Sequence, residues 1–221
     1  MHSEKSMREY YAARAQEYDH IYAKPERQAN LRSIENWIPT VLSGRRVIEV
    51  ACGTGYWTQF FASRASYVVA IDAAAETLEI ARKRVTADNI EFHIADAYAL
   101  PDALGQFDAA FAGFWLSHIP RSRVKTFLVN LHARLYPGSS VLLLDNLYVE
   151  GSSHPIVEHD LEGNSYQSRG LLDGTSHRVL KNFPSEGDLL EMIDGLGEKP
   201  QYHKLDYYWT FQYEVLPIGA S

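Results

Sequence analysis

The chain has 221 residues, 46% of them hydrophobic, a formal net charge of −7 and a single cysteine. That length and apolar content suit one large domain with a full core, and the acidic balance argues against a broad phosphate-tracking surface for nucleic acid. The lone Cys52 excludes an internal disulfide and points to a reducing compartment. The opening Met-His-Ser-Glu-Lys-Ser carries no apolar signal core and no apolar run reaches membrane-spanning length, so the expectation is a cytoplasmic protein with no membrane and no nucleic-acid partner.

Met7, Tyr11, Ala15, Tyr18 and Tyr22 recur at helical spacing with charges between them, and Pro25 stops the pattern. This predicts an amphipathic N-terminal helix, followed by a second over about 28–37. Strands then alternate with helices: strand 47–50 with a helix from Tyr56, strand 67–71 with a helix over 74–85, and strand 90–94 with a short helix near Ala97. Strand 107–112 leads to a helix with Val124, Phe127, Leu128, Leu131 and Leu135 on one face, and Pro137-Gly138 reads as its end before strand 141–144. Continuous apolar strands alternating with helices mean a parallel sheet covered on both faces. Residues 147–183 break the rhythm, being polar and rich in His, Arg and Tyr. Within them Asp173-Gly174, set between segments 166–171 and 176–183, is a hairpin signal. Ser185 to Asp188 spells a capping box opening a last helix over 188–196, and strands 201–205 and 208–216 close the chain. In the final strand Trp209, Phe211, Tyr213 and Val215 alternate with Thr210, Gln212 and Glu214, as on a strand with one buried face.

The most informative stretch is Val47-Ile-Glu-Val-Ala-Cys-Gly-Thr-Gly-Tyr-Trp-Thr58. An apolar strand enters a small-residue loop, the loop opens a helix, and a second apolar run ends in Asp72 about 20 residues on, the pattern of a nucleoside ligand held at the edge of a parallel sheet. Gly53 and Gly55 let backbone approach a ligand where a Cβ would collide. Asp72, with Ala73 beside it, is placed to accept hydrogen bonds from ribose hydroxyls. A dinucleotide site wants a third glycine where Thr58 stands, and the lysine of a phosphate-binding P-loop is missing.

In these residues the chain resembles the class I S-adenosylmethionine-dependent methyltransferases of the small-molecule type. Glu49-Val50-Ala51-Cys52-Gly53-Thr54-Gly55 is similar to their first motif, with Ala51 in place of its first glycine. Ile90 to Ala97 looks like the third motif, where the resemblance implies that Asp96 binds the adenine amino group beside the backbone of Ala97. Gln106 to Pro120 looks like the fourth strand and the loop facing the sulfonium, with Gly113 and Phe114 at the cofactor, and Leu135 to Asp145 matches the fifth strand. The likeness covers roughly residues 41–146. It implies an α/β fold: a Rossmann-like, doubly wound, mostly parallel seven-stranded sheet with an antiparallel last strand. To this core the sequence adds an N-terminal helical cap and a hairpin insertion after the fifth strand. The expected division is a cap over 1–40, a cofactor-binding core over 41–146, a substrate-side insertion over 147–183 and closing elements over 184–221, all in a single domain.

The implied activity is transfer of a methyl group from S-adenosyl-L-methionine, as co-substrate, to an oxygen or nitrogen of a small-molecule acceptor. Two other readings use the same residues: a nucleotide-dependent dehydrogenase, disfavoured by the missing third glycine, and a non-catalytic cofactor-binding or scaffolding module, since fold does not fix function. Relatives of this type fold an N-terminal helix over the methionine moiety, which makes Tyr11, Arg14 and Tyr18 candidates there, and Trp57 offers an aromatic face to the sulfonium. Glu49 is expected to hold the glycine loop. His118, after the fourth strand, is the candidate general base. Cys52 as a nucleophile would need an exposed thiolate of low pKa. No convincing metal-ligand spacing is present, so no metal is expected. His154, His159, His177, Arg178, Tyr148, Tyr166 and Arg169 are candidates for acceptor recognition in the insertion, which is expected to leave the carboxyl edge of the sheet and cover the acceptor pocket. The competing use of the hairpin is strand addition to a second copy in a homodimer.

Overall fold

The computed structural model describes Tyr10, Arg14, Ala15 and residues 17–217. Its centre is a seven-stranded sheet in the order β3-β2-β1-β4-β5-β10-β9. The strands are β1 (Arg46–Val50), β2 (Tyr67–Asp72), β3 (Ile90–Ile94), β4 (Phe107–Gly113), β5 (Leu135–Asn146), β9 (Gly197–Lys204) and β10 (Tyr208–Val215). The first five pair parallel, Ile48 standing opposite Val69 and Ala110. β10 runs antiparallel to β5 and to β9, with Phe211 opposite Leu143 and Tyr202. The expected seven-stranded, mostly parallel sheet with its antiparallel last strand is the observed one.

Neighbouring residues on these strands point to opposite faces, and the two faces bury different helices. Val47, Val68, Ala109, Phe111 and Leu142 pack under α1 (Gln28–Leu42), α2 (Thr58–Phe61) and α3 (Ala75–Arg84). Ile48, Val69, Ala110, Val141, Trp209 and Phe211 pack under α4 (Val124–His132) and α5 (Glu186–Met192). Each large side chain removed from water in this way contributes about 1.5–3 kcal/mol.

Several boundaries differ from those expected, for local reasons. α1 continues past Trp37 through Pro39 to Leu42. A proline inside a helix costs roughly 3 kcal/mol, and the burial of Ile38 and Leu42 beyond it offsets this. Pro137-Gly138 does not end a helix: α4 stops at His132, and both residues lie in β5, where the pairing with β4 jumps from Phe107↔Leu135 to Ala109↔Ser140. A residue without an N–H belongs in such a bulge, and Gly138 takes φ 78° there. The short helix near Ala97 is instead a turn, followed by a 3-10 turn at Asp102–Leu104, and α2 begins at Thr58. α5 opens on the expected box, with Ser185 and Asp188 capping each other, but ends at Met192. Of the N-terminal segment, Tyr18–Tyr22 and Pro25–Arg27 are 3-10 turns, while Met7 and Tyr11 lie outside the described residues.

After β5 the insertion forms a three-stranded antiparallel sheet, not a lone hairpin: β6 (Ile156–His159), β7 (Ser165–Gly170) and β8 (Ser176–Leu180). The β7–β8 hairpin turns at the expected Asp173-Gly174, with Gly174 at φ 85°.

Candidate active site

The glycine loop leaves β1 with Ala51 at φ 54°, Gly53 at φ 56° and Gly55 at φ 72°. A Cβ built on Gly53 meets no protein atom within 4 Å, so this peptide faces open space, whereas one on Gly55 would press on Ala81 at 3.1 Å. Gly53 is therefore the approach position and Gly55 packs the loop on α3. Ala51 holds a left-handed conformation that costs a residue with a Cβ roughly 1–2 kcal/mol. Ala51→Gly is thus expected to leave the melting temperature unchanged or raise it by a few degrees, where an ordinary Ala-to-Gly change lowers it. A fall of several degrees in a thermal melt would show that the methyl group, not the backbone, governs this position.

Asp72 ends β2 and accepts hydrogen bonds from Gly53 N (2.9 Å), Ala74 N (2.9 Å) and Thr77 Oγ1 (3.1 Å). Burial raises its pKa, and the N–H donors of Ala74 and Gly53 oppose the rise. A carboxylate has about four acceptor positions, so one remains for a ligand. Glu49, 2% exposed, accepts from Thr58 Oγ1 at 2.6 Å and so joins the strand to the helix after the loop. Burial lifts its pKa to about 8, with Asp72 adding to the effect and Thr58 opposing it. Cys52 is buried, and burial, then Glu49 and Asp72, push its thiol well above 9.0, the reverse of what a thiolate nucleophile needs. At the end of β3, Asp96 is exposed and its carboxylate accepts from Tyr98 N at 2.9 Å, with Ala97 buried inside that turn. Loop, Asp72 and Asp96 thus share the carboxyl edge of the sheet.

The cap is fastened to this loop. Arg84, at the end of α3, donates to Thr54 O and Oγ1, both at 2.9 Å, and pairs with Asp19, while Thr54 Oγ1 donates to Asp19 at 2.8 Å. Trp57 lies in an aromatic cluster with Tyr22, Tyr56, Phe60 and Phe114 and is 4% exposed, which makes it a packing residue here. Gly113 serves that packing: a Cβ on it would stand 2.9 Å from Trp57. Phe114 turns the chain after β4 at φ 59° and stacks between Tyr22 and Tyr208.

Next to Phe114 opens a cavity of about 90 Å3. The N-terminal segment contributes Arg14, Tyr18, Lys24 and Arg27 to its wall, the loop after β4 contributes His118, and the insertion contributes His154, Gln167, Arg169, Lys181 and Phe183. Arg14 and Tyr18 therefore stand at this second cavity, Arg14 lying over the Tyr18 ring at 5.5 Å. Tyr11 lies outside the described residues. Of the recognition candidates in the insertion, His154 and Arg169 reach the cavity. Arg178 pairs with Glu158 on the exposed side of the small sheet and lies over Tyr166, whose hydroxyl donates to Asp160 at 2.9 Å.

His118 is buried. Its Nδ1 lies 2.6 Å from the carbonyl of Leu180 and must donate to it, so Nε2 carries the lone pair. Burial, then the charges of Lys181 and Arg169, hold its pKa well below 6.5, and the ring is neutral at pH 7. Behind it, Lys181 Nζ donates to Asp145 Oδ1 at 2.7 Å and to Ser117 Oγ at 2.6 Å, and Asp145 Oδ2 accepts from Ser117 N at 3.0 Å. Among the described residues no three His, Cys, Asp or Glu side chains cluster as a metal site.

Lys181, Arg27 and Lys24 escaped sequence reasoning. Each looks like a solvated surface charge until the fold brings it to the cavity, and the only available signal was a lysine following the apolar pair Val179-Leu180.

A methyltransferase-domain family model matches residues 47–138. Over 122 residues the chain is 31% identical to a demethylmenaquinone methyltransferase of Lactococcus lactis subsp. lactis, spanning 52% of this chain and 45% of that protein. It is 25% identical over 170 residues to a malonyl-[acyl-carrier protein] O-methyltransferase of Serratia marcescens, spanning 70% and 64%. The chain spans less than two thirds of the length of these relatives. Among solved structures, that of DhpI with S-adenosylhomocysteine superposes with a TM-score of 0.81 at 29% identity, covering 98% of this chain and 99% of that one. The DhpI–SAM–HEP complex gives 0.79, also at 29%. With four motifs in register on the expected sheet, these likenesses support a class I S-adenosylmethionine-dependent methyltransferase.

Proposed function

We propose that the protein transfers a methyl group from S-adenosylmethionine to an oxygen of a small acceptor seated in the Phe114–His118 cavity. The observation that carries the reading is the adjacency of two sites at one sheet edge: an open glycine loop backed by Asp72, and a separate polar cavity beginning at the loop after β4. The cosubstrate supplies an already activated methyl group. The protein's share is alignment, exclusion of water and an acceptor in the right protonation state. Asp72 would hold the ribose, Asp96 and Ala97 the adenine, and the Ala51–Gly53 peptides the methionine end. Tyr18 would present an aromatic face near the sulfonium, which attracts a cation that offers no hydrogen-bond donor, while Phe114, stacked between Tyr22 and Tyr208, would bound the site. His118, neutral and fixed in one tautomer, would offer Nε2 to an acceptor proton or simply bound the pocket.

Calorimetry is expected to show binding of S-adenosylhomocysteine and none of NAD, and the reverse would overturn the reading. Turnover of an acceptor separates it from a scaffolding module, which would bind the cofactor product and transfer nothing.

A further inference from the structure

The acceptor cavity is out of electrical balance. Arg27 is 6% exposed, yet its polar partners are neutral oxygens: Ser152 Oγ at 2.9 and 3.2 Å and Asn146 Oδ1 at 3.0 Å. Arg169 is half-buried and donates twice to one neutral atom, Gln167 Oε1, at 2.8 and 3.2 Å. Lys24 donates to the carbonyl of Ser152. Among the described residues no carboxylate lines the cavity. Asp145 is spent on Lys181, and Glu26, exposed outside the cavity wall, accepts from the Ser152 hydroxyl and acts on Lys24 and Arg27 by its charge without bonding either. Buried charges are ordinarily paired, because taking an unpaired one out of water is costly. The cosubstrate does not restore the balance: its carboxylate is cancelled by its amino group, and its sulfonium adds a further positive charge. The missing negative charge must arrive with the acceptor.

Resting on the methyl-transfer reading, we propose that the acceptor is a compact phosphoryl dianion, an organophosphonate or a phosphate monoester, methylated on one of its own oxygens. The unbalanced cations converge from different sides, Lys24 and Arg27 from the N-terminal segment and Arg169 from the insertion, while Lys181, its charge balanced by Asp145, has a third N–H to donate beside those given to Asp145 and Ser117. Such an arrangement suits a tetrahedral group with three terminal oxygens better than a planar carboxylate with two. Arginine forks match phosphoryl oxygens two at a time. The cavity volume of about 90 Å3 holds on the order of six water-sized groups, enough for the phosphoryl head and a short tail. An oxygen lone pair of the dianion forms the new O–CH3 bond while the C–S bonding pair withdraws onto sulfur, leaving a neutral thioether and a monoanionic methyl ester. No proton moves, so no general base is needed, which agrees with a buried His118 that is neutral and donates to a carbonyl. The product carries one negative charge fewer, and this loosens its hold on the arginines and favours release.

The test is calorimetric titration of the S-adenosylhomocysteine complex with ethylphosphonate, ethyl phosphate and propionate, followed by phosphorus NMR of turnover mixtures containing S-adenosylmethionine. Binding of a phosphoryl compound is expected to exceed that of propionate by tenfold or more, with a monomethyl ester formed. Turnover of the phosphonate or of the phosphate identifies which source the enzyme uses. Arg169→Met is expected to raise the acceptor KM about a hundredfold and leave S-adenosylhomocysteine affinity within about threefold. Arg27→Lys, which keeps the buried charge but loses the fork, should raise KM by about tenfold. Propionate bound as well as the phosphoryl compounds, or arginine variants that lose S-adenosylhomocysteine and keep the acceptor KM, would overturn the proposal and leave methyl transfer standing. Absence of any S-adenosylhomocysteine binding would overturn both.

Discussion

Asp145→Ala is expected to destabilise the protein by about 3–5 kcal/mol, the usual loss on removing one partner of a buried ion pair. For a chain of this size that is a fall of roughly 6–20 °C in melting temperature. Asp145 is fully buried, and its carboxylate accepts from Lys181 Nζ, Ser117 N and Asn146 N. Without it, the ammonium is left in the interior with only the neutral Ser117 Oγ to accept from it, and the Ser117 N–H loses its acceptor. The double variant Asp145→Leu with Lys181→Met should recover most of the melting temperature, since an apolar pair of similar volume avoids the desolvation of both ions, and should still lose acceptor turnover. Singles that melt within about 2 °C of the parent would show that water reaches the pair.

The pair also sets pH limits. Burial would raise the pKa of Asp145, but Lys181 first and then His118 outweigh it and hold the carboxyl below 3.8. Its contribution to stability is therefore complete above the ordinary carboxylate value and is lost only as pH falls through the lower, folded value. On the alkaline side, burial lowers the Lys181 ammonium from 10.5 to about 8 against the pull of Asp145. Acceptor KM should then climb above pH 8, and Lys181→Met should abolish that climb along with much of the affinity.

Asp72→Asn is expected to weaken S-adenosylhomocysteine binding about tenfold to a hundredfold. The charge-assisted bond from a ribose hydroxyl becomes a neutral one, and such a bond is worth about 1.5–3 kcal/mol. The amide can still accept on one atom, whereas Asp72→Ala also removes the anchors of Gly53, Ala74 and Thr77 and should cost stability as well. Calorimetry with melts alongside separates the two effects. An Asn variant with unchanged affinity would place the ribose elsewhere. Because burial raises the pKa of Asp72, affinity in the parent should decline on the acid side sooner than a solvated aspartate would cause.

Much of this fold is written locally, and the sequence shows it there. Strand periodicity marks β1 to β4 and β10, the Ser185–Asp188 box marks α5, and Asp173-Gly174 marks the hairpin, because each depends on neighbours within a few residues. The glycine loop and Asp72 are legible because backbone approach and a terminal acid leave fixed residue types at fixed spacing. What stays hidden depends on distant partners. β6 reads Ile-Val-Glu-His, too short and too irregular to declare a strand until β7 pairs with it. Pro137-Gly138 looks like a stop because its bulge is defined by β4, not by its own neighbours. The cavity charges were the least visible: Arg27 and Ser152 are 125 positions apart and Lys181 and Asp145 are 36 apart, and nothing local distinguishes these lysines and arginines from solvated ones.

The insertion is anchored most heavily at its root. Asn182 donates to Ile119 O and Asn164 Oδ1 and accepts from Ser165 N, and its own N–H bonds Ser117 O, while Lys181 joins Ser117 and Asp145. At the far end, Leu172, Asp173 and Gly174 are exposed, and the tip touches the N-terminal segment lightly, Leu172 N donating to Glu17 Oε1 at 3.2 Å and His177 lying against the Tyr10 ring. The small sheet is therefore a fixed root bearing a replaceable tip. Changes at the root should be felt at once in folding, because they unseat the loop after β4. Changes at the tip should pass almost unnoticed by the core, so that new acceptor preferences can be explored there by loop grafting without rebuilding the domain.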